Sequence, residues 1–128
     1  MNPLCVDMGV GLIPWSPLAR GFLAGNVTRE GGAQTARSKS DSLAPERTDT
    51  DFDTVDRAKE LADKHGVSAA QIALAWILQC PGVTAPIIGA TKMHHLEEGA
   101  AAVDVQLSED EVAYLEELYQ PRQIHGHS

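Results

Sequence analysis

Two short segments carry residue types that together could hold a phosphorylated ligand bearing a planar ring. The first, Pro14-Trp15-Ser16-Pro17-Leu18-Ala19-Arg20-Gly21, offers an indole face for stacking, a hydroxyl, several backbone amides and one guanidinium for a phosphate. The second, Gly89-Ala90-Thr91-Lys92, runs into a helical pattern, so that free amides, the helix dipole and the Lys92 ammonium would converge on an anion. Each has an ordinary structural alternative. Trp15 could be core and Arg20 a surface charge, and Gly-Ala-Thr-Lys could be a capped helix start with an exposed lysine. The pair carries more weight than either alone, because each segment follows a short apolar run.

Those runs are the elements that must position the chemistry. Val10-Gly11-Leu12-Ile13, ended by Pro14, and Val83 to Ile88 read as strands buried on both faces, as in a parallel sheet, although Pro86 is awkward inside a paired strand. In α/β units the ligand sits where loops leave the C-terminal ends of the strands, and both segments begin there. Asn2 to Met8 reads as the last turns of a helix stopped by Gly9. Phe52, Val55, Ala58, Leu61 and Ala62 share one face of a four-turn helix that Gly66 ends. Ser68 and Gln71 have capping-box spacing before a helix whose Ile72 to Leu78 are apolar nearly all round, which predicts deep burial until Pro81-Gly82. A third helix after Gly89 places Met93, Leu96, Ala100 and Val103 on one stripe, with Thr91 as its N-cap. A fourth opens with the Ser108/Glu111 box and points Val112, Leu115 and Leu118 inward before Pro121. Residues 26–50 form a long polar loop, of a length that in compact domains is functional or disordered, and 120–128 an extended tail.

The chain of 128 residues suffices for one domain, 1–128. Two cysteines, Cys5 and Cys80, are too few for a disulfide framework and favour a reducing, cytoplasmic setting with buried thiols. A net charge of -8 argues against nucleic acid and anionic membranes as partners. No apolar run approaches a membrane span. The charge is uneven: Arg20, Arg29, Arg37, Lys39 and Arg47 against Glu30, Asp41 and Glu46 make 20–47 a mildly basic window in an acidic chain, suited to a small anionic ligand or to a solvated loop. A metal is not expected. His94 and His95 are adjacent on a helix, and His125 and His127 lack neighbouring Cys or carboxylate ligands.

Strand, long loop, helices, strand, helix, helix is an α/β order with parallel pairing. Two strands leave both sheet edges open, so the chain reads as incomplete and prone to self-association through those edges.

Gly11-Leu12-Ile13-Pro14-Trp15-Ser16-Pro17-Leu18-Ala19-Arg20-Gly21 and Ile87-Ile88-Gly89-Ala90-Thr91-Lys92, followed by His95-Leu96-Glu97-Glu98, closely resemble the C-terminal part of aldo-keto reductases. The match covers nearly the whole chain, including Ala73-Leu74-Ala75-Trp76 and the spacing between motifs. The resemblance implies a (β/α)8 TIM barrel that uses NADPH to reduce aldehydes and ketones, of which this chain would be the seventh and eighth strand units. By position, Trp15 would stack on the nicotinamide, and Ser16, Pro17, Leu18, Ala19 and Arg20 would wrap the pyrophosphate. Arg37 would reach over from the long loop, Gly89 and Thr91 would surround the adenosine phosphate, His95 would take a position often Gln or Arg, and Glu98 would contact adenine. Gly99 departs from the Asn common in the family.

The family's catalytic Asp, Tyr, Lys and His belong to the first half of the barrel, so the resemblance assigns no catalytic residue here. A barrel of this type takes about 250 residues, and 128 cannot close one. Alternatives to the reductase are a non-catalytic nicotinamide-nucleotide-binding or regulatory module, and an inactive truncated product.

Overall fold

The computed structural model describes residues 1–30 and 47–121, so Arg37, most of the expected long loop, and the tail from residue 122 with His125 and His127 lie outside the described residues. Five α-helices are described: α1 (Asn2–Asp7), α2 (Asp49–His65), α3 (Ala69–Gln79), α4 (Met93–Ala101) and α5 (Glu109–Glu116), with short 3-10 turns at Ala19–Gly21 and Ala102–Asp104.

Helix α3 is the centre. It packs against α2, α4 and the second 3-10 turn, while α5 lies on α2. Its apolar composition allows this, because Ile72, Ala73, Leu74 and Ala75 are all buried and Ile72 is completely inaccessible. Trp76, Ile77 and Leu78 are only half-buried, so the deep burial expected of Ile72 to Leu78 holds for Ile72 to Ala75. Val55, Ala58, Leu61 and Ala62 form the buried stripe of α2, and Gly66 closes that helix in the left-handed conformation at φ 68°.

Three capping boxes start α2, α3 and α5. Those at Ser68/Gln71 and Ser108/Glu111 are as the spacing predicts, and a third pairs Thr48 with Asp51. Gln79 ties the end of α3 to the chain before α5 by imitating a strand rung: its amide donates to the Leu107 carbonyl, and its own oxygen accepts from the Leu107 amide, both at 3.0 Å.

The stripe on α4 is a correction. Met93, Leu96 and Val103 are all more than half exposed, and the inward contact comes instead from Ala102 and the half-buried Glu98 and Gly99. The N-cap is Lys92 and not Thr91, with no side-chain cap bond. Helix α5 ends at Glu116, before Pro121, and Val112, Leu115 and Leu118 are half-buried.

The two apolar runs do run parallel, but as isolated bridges Leu12–Val83 and Trp15–Ile87 and not as continuous strands. The cause lies in two prolines. Leu12 makes a full rung, donating to the Gly82 carbonyl at 2.8 Å and accepting from the Thr84 amide at 2.8 Å. The next regular rung would need amide hydrogens on Pro14 and Pro86, which have none. The Ile87 amide reaches the Pro14 carbonyl instead, at 2.9 Å. Two residues of one segment, Ile13 and Pro14, therefore lie opposite three of the other, Thr84 to Pro86, a one-residue bulge that re-aims the chain beyond it. Burial on both faces is also corrected, since Val10, Ile13 and Ile87 are each more than half exposed.

Glu111, nearly buried, locks the C-terminal end of α2 to the start of α5. Its carboxylate accepts from Lys64 at 2.7 Å, from the Ser108 amide at 2.9 Å and meets His65 Nε2 at 2.9 Å. Lys64 first, then the Ser108 amide and His65, lower its pKa from 4.5 to about 2. A depressed carboxylate stabilises the fold above its unfolded pKa, and that stabilisation disappears as pH falls through the folded value. Stability is thus expected to drop between about pH 4.5 and about pH 2. Glu111→Gln should flatten this slope and cost about 1–2 kcal/mol near neutrality, as read from urea midpoints. An unchanged slope in the variant would remove Glu111 from the acid response.

Candidate functional site

The bulged pair brings the two loops of interest to one end. Trp15 is itself the second bridge, and its side chain is 74% exposed beside Ile87, so its indole face is open to a planar ligand. Directly after it the backbone turns through left-handed geometry at three non-glycine residues, Ser16 (φ 56°), Ala19 (φ 47°) and Arg20 (φ 62°). Such conformations cost about 1–2 kcal/mol each and persist only where surrounding structure enforces them. Here the Ala19 amide donates to Ser16, and the Gly21 and Leu23 amides both donate to Leu18, closing a tight knot. Gly21 belongs there because its φ is 88° and a Cβ would stand 2.9 Å from Asn26 Nδ2. Pro17, Leu18 and Ala19 are half-buried in the knot, while Arg20 is exposed.

On the other side, Gly89, Thr91 and Lys92 are exposed, and α4 begins without a side chain over its first amides, as an anion site at a helix start requires. His95 is exposed one turn in, its ring against that of His94 with centroids 4.3 Å apart. Glu98 is half-buried and accepts from the Ser68 hydroxyl at 3.3 Å, so it also joins α4 to the cap of α3. Gly99 has a packing reason to lack a side chain: a Cβ there would meet Ile88 Cδ1 at 2.6 Å.

Two arginines that the sequence marks only as part of the basic window 20–47 have specific partners in the structure. Arg29 bonds Asp53 at 2.6 Å and Asp56 at 3.0 Å on α2 and lies over the Phe52 ring. Arg47 donates to the Ala19 carbonyl at 3.2 Å and stacks 4.4 Å over the ring of Phe22, which is itself buried. No motif marks either, because their partners are 24 to 28 residues away.

Other side chains with chemical potential are engaged elsewhere. Tyr114 donates to Glu60 at 2.6 Å in a groove between α2 and α5, and that bond, followed by burial, raises its pKa. Cys5 and Cys80 are free and half-buried; burial, then Glu116, pushes the Cys80 thiol up, away from thiolate reactivity. Among the described residues no group of three His, Cys, Asp or Glu side chains is placed to hold a metal, and no helix is long and apolar enough to cross a membrane.

Parallel segments that lead into helices, with the loops of interest at one end, are the arrangement of α/β folds, the (β/α)8 barrel among them. The chain belongs to the aldo/keto reductase family, whose sequence profile matches residues 1–120. It is 42% identical over 98% of its length to versiconal hemiacetal acetate reductase of Aspergillus parasiticus, and 46% identical over 97% to an aldo-keto reductase of Fusarium vanettenii. It covers 37% and 33% of those proteins. A thermostable aldo-keto reductase solved with the inhibitor epalrestat is similar to it at a TM-score of 0.64 and 28% identity, over 92% of this chain and 33% of that one. The chain thus spans about a third of the length of these relatives.

Proposed function

We propose that the chain is the cofactor-facing C-terminal part of an aldo-keto reductase barrel, which binds NADPH and presents it to an aldehyde or ketone. One observation carries the reading: the bulged pair delivers an exposed indole, a left-handed turn and an uncapped helix start to the same end of two parallel segments. Trp15 stacks on the nicotinamide. Ser16, Pro17, Leu18, Ala19 and Arg20 surround the pyrophosphate, and Arg37 is a further candidate ligand by its place in the sequence. Gly89 and Thr91 take the adenosine phosphate, His95 belongs to the same cofactor-binding set, and Glu98 takes the adenine. When bound, the cofactor supplies the hydride for carbonyl reduction. The residues of this chain bind and orient it, and none is assigned the proton transfer. Leu4, Val6, Val10, Ile13 and Ile87, each more than half exposed, fit the surface that neighbouring barrel units would cover. The reading sets the chain in the reducing cytoplasm, where Cys5 and Cys80 stay thiols.

A second reading is a nicotinamide-nucleotide module without turnover, in keeping with a chain on which no catalytic residue is assigned. Both readings require cofactor binding.

Titration of the folded chain with NADPH, followed by cofactor fluorescence and by the thermal melt, is therefore expected to saturate, with weaker binding of NADH. Trp15→Ala should reduce affinity about tenfold through loss of the stacking face. A cooperatively melting chain that shows no saturable binding, or a Trp15→Ala variant that binds as tightly as the parent, would sink the cofactor reading.

A further inference from the structure

The left-handed turn at 16–21 is the part of the candidate site that needs external enforcement. Three non-glycine residues hold positive φ within five positions, and left-handed backbone of this kind relaxes unless something opposes it. Within the turn, Gly21 and Leu23 donate to Leu18, and Phe22 donates to the Ala19 carbonyl at a long 3.3 Å. From outside, a long-range side chain reaches the strained centre. Arg47, 28 residues along the chain, places Nη2 3.2 Å from the Ala19 carbonyl, with the bond partly buried. Its guanidinium carbon lies 4.4 Å from the centre of the Phe22 ring. Phe22 is only 3% exposed and is packed edge-on to Phe52 of α2, with centroids 5.2 Å apart. The guanidinium thus rests on a fixed floor while it grips the carbonyl.

We infer that Arg47 is a positioning residue for the cofactor site: stacked on Phe22, it clamps the Ala19 carbonyl and keeps the 16–21 turn in the shape that receives a pyrophosphate. The inference rests on the proposed cofactor reading and deepens it. The planar fork is what the geometry uses, since one face stacks on a ring while an edge N–H donates, and an ammonium cannot do both in that way. Arg47 also sits immediately before the Thr48/Asp51 capping box, so the start of α2 fixes where its side chain originates. The clamp consequently couples the start of α2 to the shape of the turn.

Two measurements on the full chain test this. Amide exchange without ligand should show Gly21 and Leu23 exchanging about tenfold faster in Arg47→Ala, with Ile72 to Ala75 of α3 unchanged. NADPH affinity should fall about tenfold in the same variant, while 2′,5′-ADP, which offers only the adenosine end, binds within about twofold of the parent. Arg47→Lys should recover part of the NADPH affinity, because the cation and one donor remain. Unchanged exchange at Gly21 and Leu23 overturns the clamp. Parallel weakening of both ligands together with a lowered melt also overturns it, since that pattern marks a general structural role. A parent chain that binds no NADPH defeats the cofactor reading separately, and the clamp is then decided by the exchange rates alone.

Discussion

Ile72→Ala is expected to cost about 2–5 kcal/mol, the range for removing a large aliphatic side chain from a site that cannot collapse. Ile72 is completely inaccessible and sits among Ala58, Leu61, Ala62, Ala75 and Leu107, which come from α2, α3 and the segment before α5. Most of those neighbours are already alanines, with little freedom to swing inward and fill the gap. Since small domains hold only about 5–15 kcal/mol in total, the loss would take a large share of the stability. Urea unfolding followed by far-UV circular dichroism reads it as a fall in midpoint at constant slope. A shift of less than about 1 kcal/mol would mean that α3 is not the centre of the core.

Gly82→Val is expected to disable both halves of the candidate site together. Gly82 has φ 83°, a Cβ there would lie 2.8 Å from Val6 Cγ2 and 3.5 Å from Leu12 Cδ1, and its carbonyl receives the Leu12 amide. A β-branched residue at positive φ is strained in itself. The clash with Val6 and the backbone strain displace Gly82, whose carbonyl holds the Leu12 rung that aligns the two segments. Roughly 2–4 kcal/mol of destabilisation results, and NADPH affinity should fall more than about tenfold as Trp15 and Gly89 lose their shared frame. Gly82→Asn, which enters left-handed backbone at lower cost, should lose about half as much. Equal losses in the two variants would assign the effect to crowding against Val6 and not to backbone strain, and a Gly82→Val chain that binds like the parent would detach the rung from the site.

Much of the secondary structure was legible because its causes are local. Ser68 with Gln71 and Ser108 with Glu111 announce helix starts within four residues, and Gly66 announces a stop. The Thr48/Asp51 box was missed because an aspartate at the third position is a shorter, less familiar partner than Glu or Gln. On α4 the apolar period of Met93, Leu96 and Val103 correctly signals a face, but periodicity says nothing about what covers it, and these residues are exposed. The candidate site was legible as two motifs. Their meeting was not, because it depends on pairing between residues about 70 positions apart in sequence.

The sequence by itself determined where α3 and α5 begin, where α2 stops, most of the inward faces of α2 and α3, and which two loops carry a stacking ring, a hydroxyl, amides and cations. It also determined the family, because that likeness resides in contiguous motifs. Only the tertiary structure decided the register. Pro14 and Pro86 each lack an amide hydrogen, but that the two absences fall on the same rung, forcing Ile87 onto the Pro14 carbonyl and Trp15 into the open, is a consequence of alignment in space. The grip of Arg47 on Ala19 and Phe22 was decided at the same level, since a bond across 28 residues leaves no periodic or spacing signal in the chain.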